Sequence, residues 1–138
     1  MVAGNGPSIP FMETLALPAD LNAWEPGAIH QAWTINPNVF HPRGAVFGGY
    51  LAAVADRACF LTALTVLDDD QAASTSDLSV SFLRPVSEGV LHIEGRVIHR
   101  GRTSIRVEAE FLRDDGKLAV KAHAAEAIIP VPEGFDLS

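Results

Sequence analysis

The segment 48–67 consists mainly of Ala, Leu and other apolar residues and contains few polar ones. Ala and Leu favour helix, and a helix that is apolar nearly all round must be buried. Five alanines between positions 52 and 63 leave little bulk, so a sheet can approach closely. The sequence therefore predicts one long helix that other elements cover.

The segments around this helix alternate apolar and polar residues, as strands do. One lies before the helix at 28–36, and four follow it at 76–83, 89–100, 103–113 and 117–129. Short joints with turn residues favour antiparallel pairing between neighbours, so the last four strands are predicted to form a meander. The predicted fold class is α+β, with one long buried helix wrapped by a curled antiparallel sheet of five to six strands.

Composition narrows the class of protein further. A chain of 138 residues fits one domain, and 48% hydrophobic residues can supply its core. The net charge of −7 argues against a nucleic-acid partner, since phosphate neutralisation needs a basic surface. The single cysteine, Cys59, excludes an intrachain disulfide and a cysteine-based zinc site. The histidines lack metal-ligand spacing, so we expect no metal.

The domain boundaries follow from prolines and from interruptions of the apolar pattern. Residues 1–27 are expected to form an N-terminal arm, either with one short helix within 15–24 or lying on the domain with Trp24 as its anchor. The domain proper is expected at 28–130 and a C-terminal tail at 131–138. Asp56 and Arg57 interrupt the longest apolar stretch, so no membrane span is expected. The first residues lack a basic signal-peptide region, and a cytoplasmic location is expected.

Several motifs occur together in a fixed order. The pair Gly48-Gly49 opens the helix, and Asp56 follows eight residues after the first glycine. Three further segments follow along the chain: 75–85 (TSDLSVSFLRP), 99–103 and 115–118. Over residues 28–130 this set resembles the hotdog-fold acyl-CoA thioesterases, in particular the phenylacetate-type and 4-hydroxybenzoyl-CoA thioesterase-like branch. The chain departs from the family at Phe47, where His is usual, and at His41, where many members have Asn or Gln.

The resemblance implies hydrolysis of an acyl-CoA thioester without a cofactor. The Gly48 amide at the helix N-terminus would stabilise the oxyanion. Asp56 matches the catalytic acid, as base or nucleophile, and Thr75 would hold the attacking water or the carboxylate. Other interpretations stay open: the glycines permit a tight turn, Asp56 lies on a solvated stripe with Arg57 or in an ion pair, and Thr75 is an ordinary strand residue.

Candidate substrate-binding residues surround these positions. His41, in the loop before the helix, could donate to the thioester carbonyl or cap its own loop. Phe47 and Phe60 could line the acyl pocket, although core packing is the default role of Phe60. The arginines could contact the phosphates of coenzyme A or be plain surface charge. The predicted set is His41, Phe47, Gly49, Phe60, Arg84, Arg100 and Arg102.

The spacing of Gly48 and Asp56 has a consequence for assembly. Eight residues of helix separate them by ~12 Å along the axis, so one thioester carbonyl cannot touch both. If both act on one substrate, the second group must come from another copy of the helix, running antiparallel. This predicts a homodimer with two equivalent sites. The resemblance to hotdog thioesterases implies a dimer or a homotetramer, which would be a dimer of such dimers. The alternatives are a non-catalytic protein that binds acyl-CoA or acyl-carrier protein, and a structural assembly domain.

Overall fold

The computed structural model of the chain describes Leu17 and residues 21–131. Within these described residues, one α-helix and six strands follow each other, with a short 3-10 turn before the helix. In chain order these are β1 (Ala23–Glu25), β2 (Ala28–Thr34), the 3-10 turn (Pro37–Val39), α1 (Gly48–Leu64), β3 (Gln71–Phe82), β4 (Val90–Arg100), β5 (Ser104–Leu112) and β6 (Leu118–Pro130).

The six strands form one antiparallel sheet in the order β1-β2-β4-β5-β6-β3. Helix α1 packs against β2, β3, β4, β5 and β6, so the predicted α+β architecture is confirmed. The meander predicted for the last four strands is wrong at its start, because β3 pairs with β6 and β4 pairs with β2. The connection 83–89 does not turn back as a hairpin. It crosses to the start of the helix, where the Val46 amide donates to the Val86 carbonyl at 2.8 Å.

The helix buries one face against the sheet. Its buried residues recur every three or four positions, as one side of a 3.6-residue helix requires. They are Tyr50, Leu51, Val54, Ala55, Ala58, Cys59, Thr62 and Ala63. The residues on the opposite side, including Asp56, stay half-buried or exposed in the single chain.

A glycine in the middle of β4 permits the close approach of helix and sheet. A Cβ added at Gly95 would collide with Thr62 Oγ1 and come within 2.9 Å of Ile29. Gly95 is itself buried, so there is no solvent into which these neighbours could move. The small residue therefore sets the distance between α1 and the sheet.

Replacing Gly95 with alanine is expected to lower the free energy of unfolding by about 1–3 kcal/mol, because the methyl group overpacks a filled core. Urea unfolding of both proteins measures the change. Thr62→Ala removes the colliding hydroxyl, so the double variant should recover part of the loss. An unchanged urea midpoint for Gly95→Ala would contradict the packing argument.

The arm predicted for residues 1–27 is described only in part. Residues 23–25 form strand β1, which pairs with β2, and the side chain of Trp24 is 39% exposed. Trp24 is therefore not a buried anchor. Most of the arm, including half of the segment 15–24 expected to hold a short helix, lies outside the described residues, and so does the tail beyond Val131. The last two residues of that segment lie in β1 and not in a helix. In the part of the chain that is described, no helix has the length and apolar character needed to cross a membrane.

Candidate active site

Within the described part of the chain, the first backbone amides of α1 have no acceptor. Phe47 precedes the helix in an extended conformation and makes no side-chain cap, and the first turn contains no acidic residue. The amides of Tyr50 and Leu51 donate to the Phe47 carbonyl at 3.1 and 3.3 Å. The amides of Gly48 and Gly49 come first in the helix and have no intrahelical acceptor. The positive end of the helix dipole is thus available to an anionic oxygen.

Two aromatic rings pack against these glycines. A Cβ added at Gly48 would lie 3.3 Å from Cζ of Phe82, and one added at Gly49 would lie 3.0 Å from Cε2 of Phe47. Both rings remain about half exposed, at 49% for Phe47 and 52% for Phe82. The amides therefore lie beside apolar surface that an acyl chain could contact. Phe47 was the only one of the two predicted to line the acyl pocket. Phe82 lies beside Gly48 because β3 pairs with β6.

Asp56 lies two turns further along the same helix and is exposed in the single chain. Its Oδ1 accepts a hydrogen bond from Thr75 Oγ1 at 2.7 Å. Within the described residues Asp56 forms no ion pair. The structure therefore brings two of the predicted catalytic residues together, from α1 and from β3.

A β-bulge orients Thr75 toward the helix. The β3–β6 register shifts between Thr75 and Asp77, which leaves Ser76 as the extra residue. Ser76 Oγ donates to the carbonyl of Ala125 at 3.0 Å and so stabilises the bulge. Because an extra residue reverses the alternation of side chains, Thr75 lies on the same face as Leu78 and Val80, which pack against the core.

A second carboxyl group, which the sequence did not single out, lies beside this pair. Glu126 on β6 lies opposite Thr75 in the strand register, and its Oε1 is 3.0 Å from Thr75 Oγ1. The residue is 0% exposed, and among the described residues its Oε2 has no hydrogen-bond partner. The available signal was an acid within the apolar run 122–129, which is the same signal that singled out Asp56.

The environment of Glu126 favours its neutral form. Burial raises the pKa of this carboxyl to about 7, the Thr75 hydroxyl opposes the rise, and the negative charge of Asp56 adds to it. Cys59 is buried nearby on α1. Burial raises the pKa of its thiol to about 12, with the charges of Glu126 and Asp56 contributing. A thiol held neutral is not a nucleophile at physiological pH, so Cys59 is a core residue.

Two predicted binding residues have structural contacts of their own. His41 closes the loop before α1: its amide donates to Ala45 at 2.8 Å, and its Nδ1 accepts from the Arg43 amide at 3.1 Å. This geometry agrees with the loop-capping alternative. Phe60, one turn after Asp56, is half-buried and packs against the core. Roles for His41 and Phe60 toward substrate stay predictions.

The three predicted arginines separate into two places. Arg84 follows β3 at the start of α1, where its Nη1 donates to the Leu118 carbonyl at 2.7 Å. Arg100 donates to Val66 at 3.2 Å and to Gln71 Oε1 at 3.3 Å, just beyond the C-terminal end of α1. Arg102 follows in the exposed turn after β4. Of the three, only Arg84 lies next to the end of β3, whose Phe82 ring packs beside Gly48.

Two cavities of the single chain lie away from these groups. One, of about 300 Å³, is lined by Pro85 and Arg113 among others, and the second, of about 240 Å³, by Arg106 and His123. Neither is lined by the helix start or by Asp56. Among the described residues no group of three or more His, Cys, Asp or Glu side chains could hold a metal ion.

The sequence matches known proteins over the region that carries this site. The model of the thioesterase superfamily matches residues 43–120, more than half of the chain. A proposed esterase of Saccharolobus solfataricus is 42% identical over 79 residues, which are 57% of this chain and 56% of that protein. The chain thus spans little more than half the length of this curated relative.

Solved structures match over a larger share. A proposed thioesterase of Ralstonia eutropha, described as related to phenylacetic acid degradation, has a TM-score of 0.79 and 30% identity, covering 88% of this chain and 92% of that one. A Streptococcus mutans protein bound to acetyl-CoA has a TM-score of 0.75 and 22% identity, covering 80% and 88%. At that identity the likeness shows the fold alone. From the family match and these structures, we conclude that the chain belongs to the thioesterase superfamily and has the hotdog fold.

Proposed function

We propose that this protein hydrolyses an acyl-CoA thioester to the free acid and coenzyme A, at sites formed across a homodimer interface. One observation carries the proposal. The exposed Asp56 carboxylate is held by Thr75 at 2.7 Å, on the same helix whose first amides are open. Membership of the thioesterase superfamily supports the reaction class.

The chemistry follows from the two groups. Asp56 accepts the proton of a water molecule, and the resulting hydroxide attacks the thioester carbonyl carbon. The carbonyl oxygen becomes an oxyanion, which the Gly48 amide stabilises. The carbon–sulfur bond then breaks, and the leaving thiolate takes up a proton. In the alternative route Asp56 attacks the carbonyl carbon itself and displaces the coenzyme A thiolate, and water then hydrolyses the resulting mixed anhydride to the free acid and the Asp56 carboxylate.

The distance between these groups requires a second chain. Gly48 and Asp56 lie ~12 Å apart along one helix axis, too far for one carbonyl to contact both. In the sheet of the single chain β3 is an edge strand of 12 residues, and Phe82 and Leu83 at its end are 52% and 53% exposed. A long strand edge with unpaired backbone groups is normally covered. A second copy covering this edge would bring its own helix beside α1.

The substrate class rests on the surroundings of the helix start. The rings of Phe47 and Phe82 offer apolar surface for the acyl group, and Arg84 offers a guanidinium for a phosphate of coenzyme A. The related fold that binds acetyl-CoA supports a coenzyme A thioester as the substrate. Local arginine placement matters here, because a net charge of −7 gives no long-range attraction to an anion.

Release of free thiol from short-chain, long-chain and aromatic acyl-CoAs tests the proposal. Turnover is expected with at least one class, and Asp56→Asn should lower kcat by about 10²–10⁴-fold, because the amide cannot accept the proton. Asp77→Asn is the matched control, since this exposed acid lies beyond the bulge and lines the separate cavity with His123. The control should retain the activity of the unmodified protein.

Two results would contradict the hydrolase. One is thiol release at background level with every acyl-CoA, and the other is full activity of Asp56→Asn. Thermal stabilisation by an acyl-CoA without turnover would instead favour the non-catalytic binding protein.

A further inference from the structure

The Thr75 hydroxyl lies between two carboxyl groups. Its Oγ1 is 2.7 Å from Asp56 Oδ1 and 3.0 Å from Glu126 Oε1. A hydroxyl has one proton to donate and can accept through its lone pairs, whereas an ionised carboxylate can only accept. The two contacts cannot both be hydrogen bonds to carboxylates. One of them must be made by a proton that a carboxyl group carries.

Burial decides which carboxyl group carries that proton. Glu126 is 0% exposed, and among the described residues no cation pairs with it and its Oε2 has no partner. Asp56 is exposed, so water can solvate its charge. An unpaired buried charge is far costlier than a solvated one. The proton therefore belongs on Glu126.

We propose that Glu126, as the neutral acid, donates to Thr75 Oγ1 and thereby commits the Thr75 proton to Asp56. The chain of bonds then runs in one direction, from Glu126 through Thr75 to the Asp56 carboxylate. Glu126 is in this sense a positioning residue, because it acts on Asp56 only through Thr75. Its effect on turnover rests on the proposed hydrolase function, while the hydrogen-bond chain itself does not.

Ionisation of Glu126 would break this arrangement. Thr75 would then have one proton for two carboxylates, and Glu126 would face Asp56 with a like charge. From α1, the charge of Asp56 raises the pKa of Glu126, and the charge of Glu126 in turn raises the pKa of the Cys59 thiol. Its neighbours in the sheet, Thr75 on β3 and Ile105 on β5, carry no charge. Among these groups none offers a positive charge that would compensate the buried carboxylate.

The pH dependence of turnover tests the proposal. The competent state is the neutral acid, and burial raises the pKa of Glu126 to about 7. The kcat of the unmodified protein should therefore fall several-fold between about pH 7 and pH 8. Glu126→Gln keeps the shape and an N–H donor but cannot ionise, so its kcat should stay level across the same range. Glu94→Gln, an exposed glutamate on β4 that contacts His30, should keep the fall.

A second measurement does not depend on turnover. In protein labelled with ¹³C at the aspartate carboxyls, the Asp56 resonance, identified by its loss in Asp56→Asn, should shift as the pH rises through about 7. This shift would report the change in the Thr75 hydrogen bond when Glu126 ionises. It should be absent in Glu126→Gln and present in Glu94→Gln. The shift of the Asp56 resonance with pH can be measured in the unmodified protein, so it does not depend on whether Glu126→Gln folds.

The outcomes separate the two proposals. No Asp56 shift near pH 7 in the unmodified protein would overturn the role of Glu126, and so would a fall in kcat that Glu126→Gln retains. The Asp56 shift without hydrolysis of any acyl-CoA would support the hydrogen-bond chain and overturn the hydrolase. If Glu126 had only a structural role, Glu126→Gln would change the stability of the protein but leave the pH dependence of kcat and of the Asp56 resonance unchanged, which would also overturn the proposal.

Discussion

Replacing Gly48 with proline is expected to lower kcat/KM by about 10²–10³-fold, the loss typical of removing one oxyanion donor. Proline has no amide hydrogen, so the substitution removes the one group that α1 offers to the thioester oxygen at this position. The Asp56 and Thr75 contact lies two turns away and should not change. Steady-state thiol release measures the loss, and the unfolding midpoint reports whether the fold is kept.

The structure indicates that proline fits at this position. Proline is favoured as the first residue of a helix, where its missing N–H would have no intrahelical acceptor. The residue before a proline must be extended, and Phe47 already has φ −69° and ψ 147°. The substitution therefore removes a donor without asking the backbone to move.

Gly48→Ala is the matched control for the added side chain. It retains the amide and places a Cβ 3.3 Å from the Phe82 ring, a contact that a half-exposed ring can relieve by moving. Its loss of kcat/KM should be much smaller than that of Gly48→Pro. Equal losses in the two variants would mean that space beside Phe82, rather than the amide, matters for turnover.

The architecture could be predicted because its signals are local. The Ala- and Leu-rich segment predicts the helix, and the alternating segments predict five of the six described strands, although β3 begins at Gln71 rather than at residue 76 and β1 was not predicted. The neighbours of β3 could not be predicted in this way. Its pairing with β6 joins residues such as Thr75 and Glu126, which are 51 positions apart, and no local turn signal marks such a contact. A meander requires strands adjacent in sequence to be adjacent in the sheet, and at β3 the longer connection through Pro85 breaks that rule.

The same physical reason separates the parts of the site that could be predicted from those that could not. Gly48 and Asp56 lie on one helix, so their spacing alone gives a distance. Glu126 reaches the site only through the β3–β6 register and the bulge at Ser76. A bulge reverses which residues face the helix, and the sequence around Ser76 gives no sign of it. The same pairing of β3 with β6 places Phe82 beside Gly48.

Mixed dimers of two inactive variants are expected to recover about a quarter of the unmodified activity. In the proposed site Gly48 comes from one chain and Asp56 from its partner. A chain with Gly48→Pro still has Asp56, and a chain with Asp56→Ala still has Gly48. Together they form one intact site and one site that lacks both groups. With random pairing half the dimers are mixed, and half the sites in these are intact. Refolding the two proteins together and measuring thiol release gives the recovered fraction.

The pair Asp56→Ala and Thr75→Ala shows whether such recovery reports the proposed geometry. Thr75 donates to Asp56 of its own chain at 2.7 Å, so these two residues serve the same site. In a mixed dimer one site lacks Asp56, and the other has Asp56 without its Thr75 hydroxyl. No intact site forms, and the mixture should be no more active than Thr75→Ala itself allows. Recovery by neither pair would show that Gly48 and Asp56 act from one chain or not at all. Recovery by both pairs would show that Thr75 and Asp56 also act from different chains, which would contradict the contact within one chain.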